Sequence, residues 1–411
     1  MEMRRGYYQT TLGIIPNNWR VLTVKQLVSD KILEKPLDGN HGEIHPKSDD
    51  YVSSGVPFVM ANNFLNGKLN LENCNFIKKE LADKLQKGFS VTGDVLLTHK
   101  GTVGSTAIVG KLNTDYIMLT PQVTYYRVKD LNRLSNYFVR HYFDSPKFQF
   151  LLSNLAGGGT RAYLGIVKQL DLPIIMPPID EQNVIAKTLS DVDELLEGLN
   201  QLIKKKKNLK KATMQKLLTG KVQLPGFKVK FEEKTLGDIV KFKKGQLITS
   251  STLIPGNIPV IAGGKEPAYF NSTANRYGCT ITISASGANA GYVAMHTNPI
   301  FASDCTTISD SKKFCINYIF YQLLLKQNLI YDSQTGGAQP HISEKDLSPI
   351  KILMPNSVIE QKTISKVLCD MDLEIKIIEQ RLEKTFLLKK AMMQELLTGK
   401  IRLTKSEKMN A

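Results

Sequence analysis

The chain has 411 residues, of which 42% are hydrophobic and 22% are charged, and its net charge is +16. This length is enough for several globular cores, because domains usually contain about 100–200 residues. The positive charge favours a polyanionic partner, either nucleic acid or an anionic membrane surface. No stretch approaches the roughly 18 consecutive apolar residues that a membrane span needs, which argues against an integral membrane protein.

The N-terminal segment and the cysteines indicate where the protein works. The first residues include arginines but no apolar run behind them, so they lack the pattern of a signal peptide. The cysteines are odd in number and form no CxxC pair: Cys74, Cys279, Cys305, Cys315 and Cys369. We expect reduced thiols rather than disulfides or zinc ligands, in a cytoplasmic protein without a membrane.

The first segment, residues 1–178, has the pattern of a mixed globular domain. Short runs rich in Val, Ile, Thr and Tyr alternate with turn residues, which predicts strands and loops at 56–60, 93–98, 105–110 and 120–128. One helical stretch over 134–155 and a glycine-rich loop, AGGGTRAYLG, follow them. We therefore predict an α/β domain over this segment.

The second segment, residues 179–224, is predicted to be one long helix that ends near Leu218, before Gly220. Its apolar residues are spaced alternately four and three apart, as in the seam of a coiled coil: Ile185, Leu189, Val192, Leu196, Leu199 and Ile203. The seam becomes polar at Lys206 and Lys210. Residues 200–230 contain ten Lys and no Asp, Glu or Arg, which fits either a polyanion-binding surface or a solvated helix face.

The third and fourth segments, 225–355 and 356–411, repeat this layout. KKATMQKLLTGKVQL at 210–224 returns as KKAMMQELLTGKIRL at 389–403, a constant 179 positions later. The second helix carries the equivalent heptad seam: Ile364, Leu368, Met371, Ile375, Ile378 and Leu382. The globular parts match poorly, although 278–296 resembles 93–110. The helices therefore do the same task twice, while the globular domains do related but different ones.

Two copies are too few for a solenoid, which needs about three stacked repeats. They suit a pseudo-dimer within one polypeptide, in which the two helices pack as an antiparallel coiled coil. The predicted fold is mixed α+β, with two globular α/β domains separated by two long helices. A basic protein with two different globular domains at a fixed separation is suited to bind a DNA sequence that is split into two unlike halves.

At this point the chain resembles a known family. The MPPIDEQ helix entry, the heptad helix ending in KK-A-x-MQ-x-LLTGK, and the doubled layout are similar to the specificity subunit of Type I restriction-modification systems. The resemblance covers the whole chain. The second copy has NSVI where the first has PPID, which leaves the start of the second helix open.

The resemblance implies a function for each part. Each target-recognition domain reads one half of a bipartite site in double-stranded DNA, and the helices set the unspecified gap. The helices also dock two methyltransferase subunits that use S-adenosylmethionine to methylate adenine. Two restriction subunits complete the nuclease form, and ATP and Mg are used by partner subunits. The chain itself is then not an enzyme and has no catalytic, cofactor-binding or metal-binding residues.

Several motifs resemble catalytic sites. NPIF at 298–301 is similar to the loop with which adenine methyltransferases hold their target, but we interpret it as a turn before an apolar strand. An enzyme would also need a glycine-rich loop between a strand and a helix, and SASGANAG at 284–291 leads into strand-like residues. No GxxxxGK[ST] phosphate loop is present. His41 and His45 lie in a polar stretch rather than on a helix face, so we predict no metal site.

The candidate DNA contacts are polar, basic and aromatic residues of the glycine-rich loops, where the backbone can approach a phosphate closely. They are Lys100, Thr102, Ser105, Thr160, Arg161 and Tyr163 in the first domain, and Lys265, Ser286, Asn289, Gln339 and His341 in the second. Any of them could instead close a surface turn. We assign His99 and Trp19 to structure.

Two other functions fit parts of the pattern. A self-contained methyltransferase or nuclease would use NPIF, and it would bind S-adenosylmethionine by itself. A coiled-coil adaptor without a DNA role would lack steeply salt-dependent DNA binding. Apolar residues outside the seam indicate a wider buried surface, formed with a methyltransferase or with the protein's own domains: Leu195, Leu202, Leu209, Phe386, Leu387 and Leu388.

Overall fold

The computed structural model describes residues 5–157, 162–228, 230–249, 251–336 and 339–403. The chain divides into two compact units, the first formed by residues 1–199 and 381–411 and the second by residues 200–380. Each long helix thus contributes one part to each unit. The boundaries expected from the sequence, 1–178, 179–224, 225–355 and 356–411, separate helices from globular domains and stay a prediction.

The first unit contains fifteen strands among its described residues. They are β1 (Tyr7–Thr10), β2 (Gly13–Pro16), β3 (Arg20–Thr23), β4 (Leu37–Asp38), β5 (Tyr51–Val52), β6 (Val56–Val59), β7 (Phe64–Leu65), β8 (Lys68–Leu69), β9 (Asn75–Ile77), β10 (Phe89–Ser90), β11 (Val95–Lys100), β12 (Thr102–Ile108), β13 (Ile117–Leu119), β14 (Val123–Tyr126) and β15 (Pro173–Met176). Its shorter helices are α1 (Val24–Ser29), α2 (Lys79–Ala82), α3 (Asn136–Phe143), α4 (Pro146–Ala156) and α5 (Ile166–Gln169). The first long helix is α6 (Ile179–Leu217).

The second unit repeats the strands and helices in shorter form. Its strands are β16 (Phe231–Thr235), β17 (Phe242–Lys244), β18 (Pro255–Ile261), β19 (Tyr269–Asn271), β20 (Thr280–Ser284), β21 (Val293–His296), β22 (Phe301–Ala302), β23 (Cys305–Ser309) and β24 (Lys351–Pro355). Its short helices are α7 (Leu236–Ile239), α8 (Ile316–Leu325), α9 (Gln327–Asp332) and α10 (Glu344–Leu347). The second long helix is α11 (Val358–Leu396).

The two units share the central part of their sheet topology although their sequences match poorly, and the first unit has additional strands. An antiparallel sheet of order β12-β11-β14-β4 in the first unit corresponds to β21-β20-β23-β17 in the second. A parallel pair, β6 with β13, corresponds to β18 with β22. The strand that enters each long helix pairs with an early strand of its unit, β15 with β3 and β24 with β16. The predicted mixed α+β class with an internal repeat is confirmed.

The predicted helical stretch over 134–155 consists of two helices, α3 and α4. Helix α3 ends at Phe143, and Ser145 caps α4 by accepting the backbone N–H of Phe148 at 3.3 Å. Pro146 occupies the first turn of α4. A proline in a helix interior would remove a hydrogen bond and clash with the preceding turn, whereas the first turn tolerates it.

The two long helices start and stop at equivalent positions. Each has 39 residues, and their first residues, Ile179 and Val358, are 179 positions apart. The change from PPID to NSVI therefore does not shift the start. Gly220 and Gly399 follow the two helices with φ of +67° and +69°, a left-handed conformation that ends a helix and that glycine adopts without steric cost.

Each globular core is closed by the beginning of one long helix and the end of the other. In the first unit, Ile185 and Leu189 of α6 lie in one core with Trp19 and with Leu396 of α11. In the second unit, Leu217 of α6 lies with Ile364 and Leu368 of α11. Buried apolar side chains of this size each contribute about 1.5–3 kcal/mol through the hydrophobic effect. The helices are thus structural parts of both units.

Candidate nucleic-acid interface and helix seam

In the first unit, the tip of the β11–β12 hairpin contacts the loop that follows α4. Lys100 and Tyr163 form an isolated antiparallel bridge, and the N–H of Gly101 donates to the carbonyl of Ala162 at 3.1 Å. The side chains of Lys100, Thr102 and Tyr163 are exposed. The structure thus brings three candidate residues to one surface.

The other candidates of the first unit are not among the exposed residues at this surface. Ser105 is half-buried in β12, and its backbone N–H donates to the hydroxyl of Thr98 at 2.9 Å. The candidates Thr160 and Arg161 lie outside the described residues. The roles of all these residues in DNA binding stay a prediction.

A buried polar cluster of His99, Thr124 and Asp38 lies beside the tip of the β11–β12 hairpin. His99 Nδ1 lies 2.9 Å from the Thr124 hydroxyl. The other ring nitrogen of His99, Nε2, has no hydrogen-bond partner and lies 3.8 Å from the Asp38 carboxylate. Burial lowers the pKa of His99 to about 4, so the ring is neutral at pH 7. Burial of Asp38 opposes its ionisation, but hydrogen bonds with Lys87 and His41 keep its pKa below the ordinary value. His99 is structural here, as predicted.

The second unit places its candidate loops in the same way. Ser286 and His341 form an antiparallel bridge, and the N–H of Gly287 donates to the carbonyl of Pro340 at 3.0 Å. His341 and Gln339 are exposed. The hydroxyl of half-buried Ser286 donates to the carboxylate of Asp304.

Lys265 and Asn289 are linked through Tyr292. The Lys265 Nζ lies 5.6 Å from the centroid of the Tyr292 ring, and the carbonyl of Asn289 accepts the Tyr292 N–H at 2.9 Å. Tyr292 and Asp304 were not among the residues predicted from the sequence. Nothing in their spacing separates them from other polar residues at strand ends; only the folded sheet brings them to the loops.

All twelve residues of the predicted seam are buried or half-buried: Ile185, Leu189, Val192, Leu196, Leu199, Ile203, Ile364, Leu368, Met371, Ile375, Ile378 and Leu382. Lys210 and Lys389, which occupy equivalent polar positions of the two seams, each pair with an aspartate of the opposite helix. In the first unit, Lys389 of α11 lies 2.6 Å from Asp193 of α6. In the second unit, Lys210 of α6 pairs with Asp372 of α11. Within each unit the two helix segments run antiparallel.

The basic run in α6 is partly neutralised. Lys206 lies 2.6 Å from Glu374, and Lys207 lies 2.7 Å from Glu379. Part of the basic run therefore forms ion pairs between the two long helices, a role that its sequence alone did not predict. The apolar residues outside the seam remain exposed: Leu195, Leu202, Leu209, Phe386, Leu387 and Leu388. Within each unit, packing of the described residues leaves this surface uncovered.

A glutamine that is identical in the two copies joins each helix to its globular domain. In the first unit, the Gln182 side chain accepts the N–H of Ser135 at 2.9 Å and donates to the carbonyl of Pro177 at 2.8 Å. In the second unit, Gln361 accepts the N–H of Cys315 at 2.9 Å. Ser135 and Cys315 are the caps of α3 and α8. Both glutamines are buried, so these bonds fix each domain on its helix.

The neighbouring glutamates are identical in sequence but differ in surroundings. Glu181 accepts two hydrogen bonds from Arg402, at 2.5 and 2.7 Å, and one from Trp19 Nε1 at 2.9 Å. Glu360 is fully buried, and neither carboxylate oxygen has a hydrogen-bond partner. Burial raises the pKa of Glu360.

In the described part of the chain, the motifs that resemble enzyme sites lead into strands. NPIF leads into the short strand β22, and the glycine-rich 284–291 leads into β21 rather than a helix. Among the described residues, no three His, Cys, Asp or Glu side chains cluster so as to hold a metal. No described helix is long and apolar enough to cross a bilayer.

Comparison with known proteins agrees with this architecture. A family model for the Type I restriction modification DNA specificity domain matches residues 19–208 and 228–385. A Methanocaldococcus jannaschii protein described as the MjaX type I restriction enzyme specificity subunit is 24% identical, with 97% of each chain covered. The MjaVIII specificity subunit of the same organism is 24% identical over 54% of this chain and 50% of that protein.

Solved structures show the same fold. The S subunit of a Type I restriction-modification system from M. genitalium has a TM-score of 0.63 at 20% identity and covers 92% of this chain and 96% of that one. A chain from a study of complex assembly in a type I restriction-modification system has a TM-score of 0.54 at 16% identity, covering 94% and 99%. With two matched domains that span most of its length, this chain belongs to the family of Type I restriction-modification DNA specificity proteins.

Proposed function

We propose that this chain is the non-catalytic DNA-specificity subunit of a Type I restriction-modification complex, acting in the cytoplasm. The observation that supports this proposal most strongly is that the candidate site occurs twice. Each of two domains of shared topology has a hairpin tip that is bridged to a second loop, and the long helices that join these domains repeat in sequence. Each domain reads one half of a bipartite DNA site. Different loop residues in the two domains give different half-sites.

The loops carry groups suited to both kinds of DNA contact. Lys100 and Lys265 are exposed cations that can position the backbone through phosphate. His341, Gln339 and the Asp304 carboxylate offer donors and acceptors for base edges; a carboxylate accepts from the cytosine amino group. The chemistry of these side chains and their place on the bridged loops support a role in base recognition.

The helices are proposed to set the gap between half-sites and to dock two adenine-N6 methyltransferase subunits. Two copies of one partner need the same surface twice. Residues that are identical in both copies and exposed in both provide it: Leu209 and Leu388, Lys211 and Lys390, Gln215 and Gln394. S-adenosylmethionine would then be bound by the methyltransferases. Two restriction subunits, with ATP and Mg, would complete the nuclease form.

The direct test is methylome sequencing of cells that carry this chain with its methyltransferase, beside cells that lack the chain. We expect a bipartite adenine motif with one gap length, present only with the chain. An assembled complex that gives no chain-dependent methylation would contradict the proposal and support the adaptor. Binding of S-adenosylmethionine by the isolated chain would instead support an enzyme.

Replacing Lys100 by alanine should weaken DNA binding of the assembled complex on all sequences alike. If Lys100 contacts a phosphate, the slope of log affinity against log salt becomes shallower by about 1, because one fewer counterion is released. Fluorescence anisotropy over a salt series measures this slope. Lys25→Ala, an exposed lysine on α1, is the matched control. An unchanged slope for Lys100→Ala would remove this residue from the interface.

A further inference from the structure

One ion pair occurs twice in the helix seam, with its two charges exchanged between the helices. Asp193 on α6 pairs with Lys389 on α11, and Asp372 on α11 pairs with Lys210 on α6. The aspartates are 179 positions apart, and so are the lysines. Each pair lies within one unit, so the repeat has preserved both partners and their contact.

The pairs lie at the edge of the apolar seam, and three of their four side chains are largely shielded from water. Asp193 and Lys389 are 18% and 12% exposed and Lys210 is 16% exposed, whereas Asp372 is 43% exposed. Partly buried ion pairs add little stability over apolar residues of similar size, because desolvation offsets the attraction. A polar group in a helix seam does, however, select one alignment of the helices, since any other leaves it without a partner.

Each aspartate also holds a helix of the globular domain. In the first unit, Arg140 of α3 donates to Asp193 at 2.5 Å. In the second unit, the hydroxyl of Tyr321 on α8 donates to Asp372 at 2.8 Å. One carboxylate thus binds both the opposite long helix and the domain that reads DNA. The domain partner differs between the units, whereas the helix partner is the same.

We propose that Asp193 and Asp372, with Lys389 and Lys210, are positioning residues that fix the axial register of the two long helices and thereby the gap between the half-sites. The proposal rests on the proposed function. A slip of one helical turn moves a lysine about 5.4 Å from its carboxylate. Both aspartates would then lose their lysine, so two ion pairs oppose the same slip.

The second unit gives the sharper test, because neutral Tyr321 tolerates either charge at position 372, whereas Arg140 would repel a lysine at position 193. Three variants of the full complex are compared: Lys210→Asp, the swap Lys210→Asp with Asp372→Lys, and the apolar double variant Lys210→Met with Asp372→Leu. Methylation is measured on duplexes that carry both half-sites at the wild-type gap and at gaps one base pair shorter or longer.

The apolar double variant should keep its melting temperature and both half-site sequences. Its preference for the wild-type gap should fall by about tenfold, the scale of one lost charge-assisted contact. The swap should restore that preference, and Lys210→Asp alone should lose it or fail to assemble. The exposed pair Lys366–Asp370, 3.1 Å apart on α11, is the control, and its swap should change nothing.

A folded apolar variant with full gap preference would overturn the proposal. If that variant does not assemble, the swap decides: restored preference supports the register role, and a folded swap with relaxed gap choice contradicts it. Failure of the proposed function is distinguishable, because the wild-type complex would then show no bipartite motif. Changed half-site sequences in any variant would also contradict the proposal, since register should alter spacing only.

Discussion

Replacing glutamate by glutamine at two equivalent positions should change stability in opposite directions. Glu181→Gln takes the charged partner from Arg402, and hydrogen bonds to charged groups contribute about 1.5–3 kcal/mol. Arg402 is partly exposed, so water can replace part of the lost hydrogen bonding. We therefore expect the free energy of unfolding of the first unit to fall by about 1–2 kcal/mol. Glu360→Gln removes a buried carboxyl that has no partner, and it should stabilise the second unit by about 1 kcal/mol near neutral pH.

The pH dependence separates these two effects. Burial raises the pKa of Glu360, so the folded state prefers the protonated form. The stability of the wild-type second unit is then complete below the ordinary glutamate pKa and falls as pH rises through the raised value. The advantage of Glu360→Gln should therefore shrink at acidic pH. Hydrogen exchange of each unit between pH 4 and 8 measures it, and equal effects of the two substitutions would contradict the assignment.

Replacing Gln182 by leucine should be among the most destabilising single changes in the first unit. Leucine has a similar volume, but it leaves the Ser135 N–H and the Pro177 and Arg133 carbonyls without their partner. Each buried unsatisfied group costs about 1–3 kcal/mol, so we expect a loss of about 3 kcal/mol after partial relaxation. Gln361→Leu should cost about 2 kcal/mol in the second unit, because fewer bonds are lost.

Gln215→Leu is the matched control for both changes. Gln215 is also identical in the two copies, but it is exposed on α6. Its substitution should stay within about 0.5 kcal/mol of the wild type. Denaturant unfolding, followed separately in each unit by hydrogen exchange, measures all three. If Gln182→Leu were as mild as the control, the joint between helix and domain would not depend on this side chain.

The sequence predicted the long helices well because their signal is local and repeated. Heptad spacing and the glycine after each helix place α6 and α11 without knowledge of the tertiary fold. The ion pairs were missed although a signal existed: Asp193 and Lys210 are polar and identical in both copies. In an antiparallel arrangement, the aspartate of each helix lies opposite the lysine of the other helix.

The strands and loop contacts of the globular domains could be predicted from the sequence only in part. Strands such as β4 and β5 have two residues each and depend on their neighbours in the sheet rather than on a local pattern. The hairpin tip at Lys100 was found from its turn residues, but its bridge to Tyr163 joins positions far apart in sequence. Asp304 reaches Ser286 only through sheet pairing. Loop residues can be listed from sequence, whereas their assembly into one surface cannot.

The closing of each core by both long helices has a consequence for synthesis on the ribosome. The second unit is continuous, from residue 200 to 380, while the first needs the last part of α11 to complete its core. Tyr7 donates to the carbonyl of Gly399, 392 positions away. The domain that emerges first therefore cannot finish folding until nearly the whole chain has been made. The later domain can reach its native state earlier, so translation order and folding order are reversed.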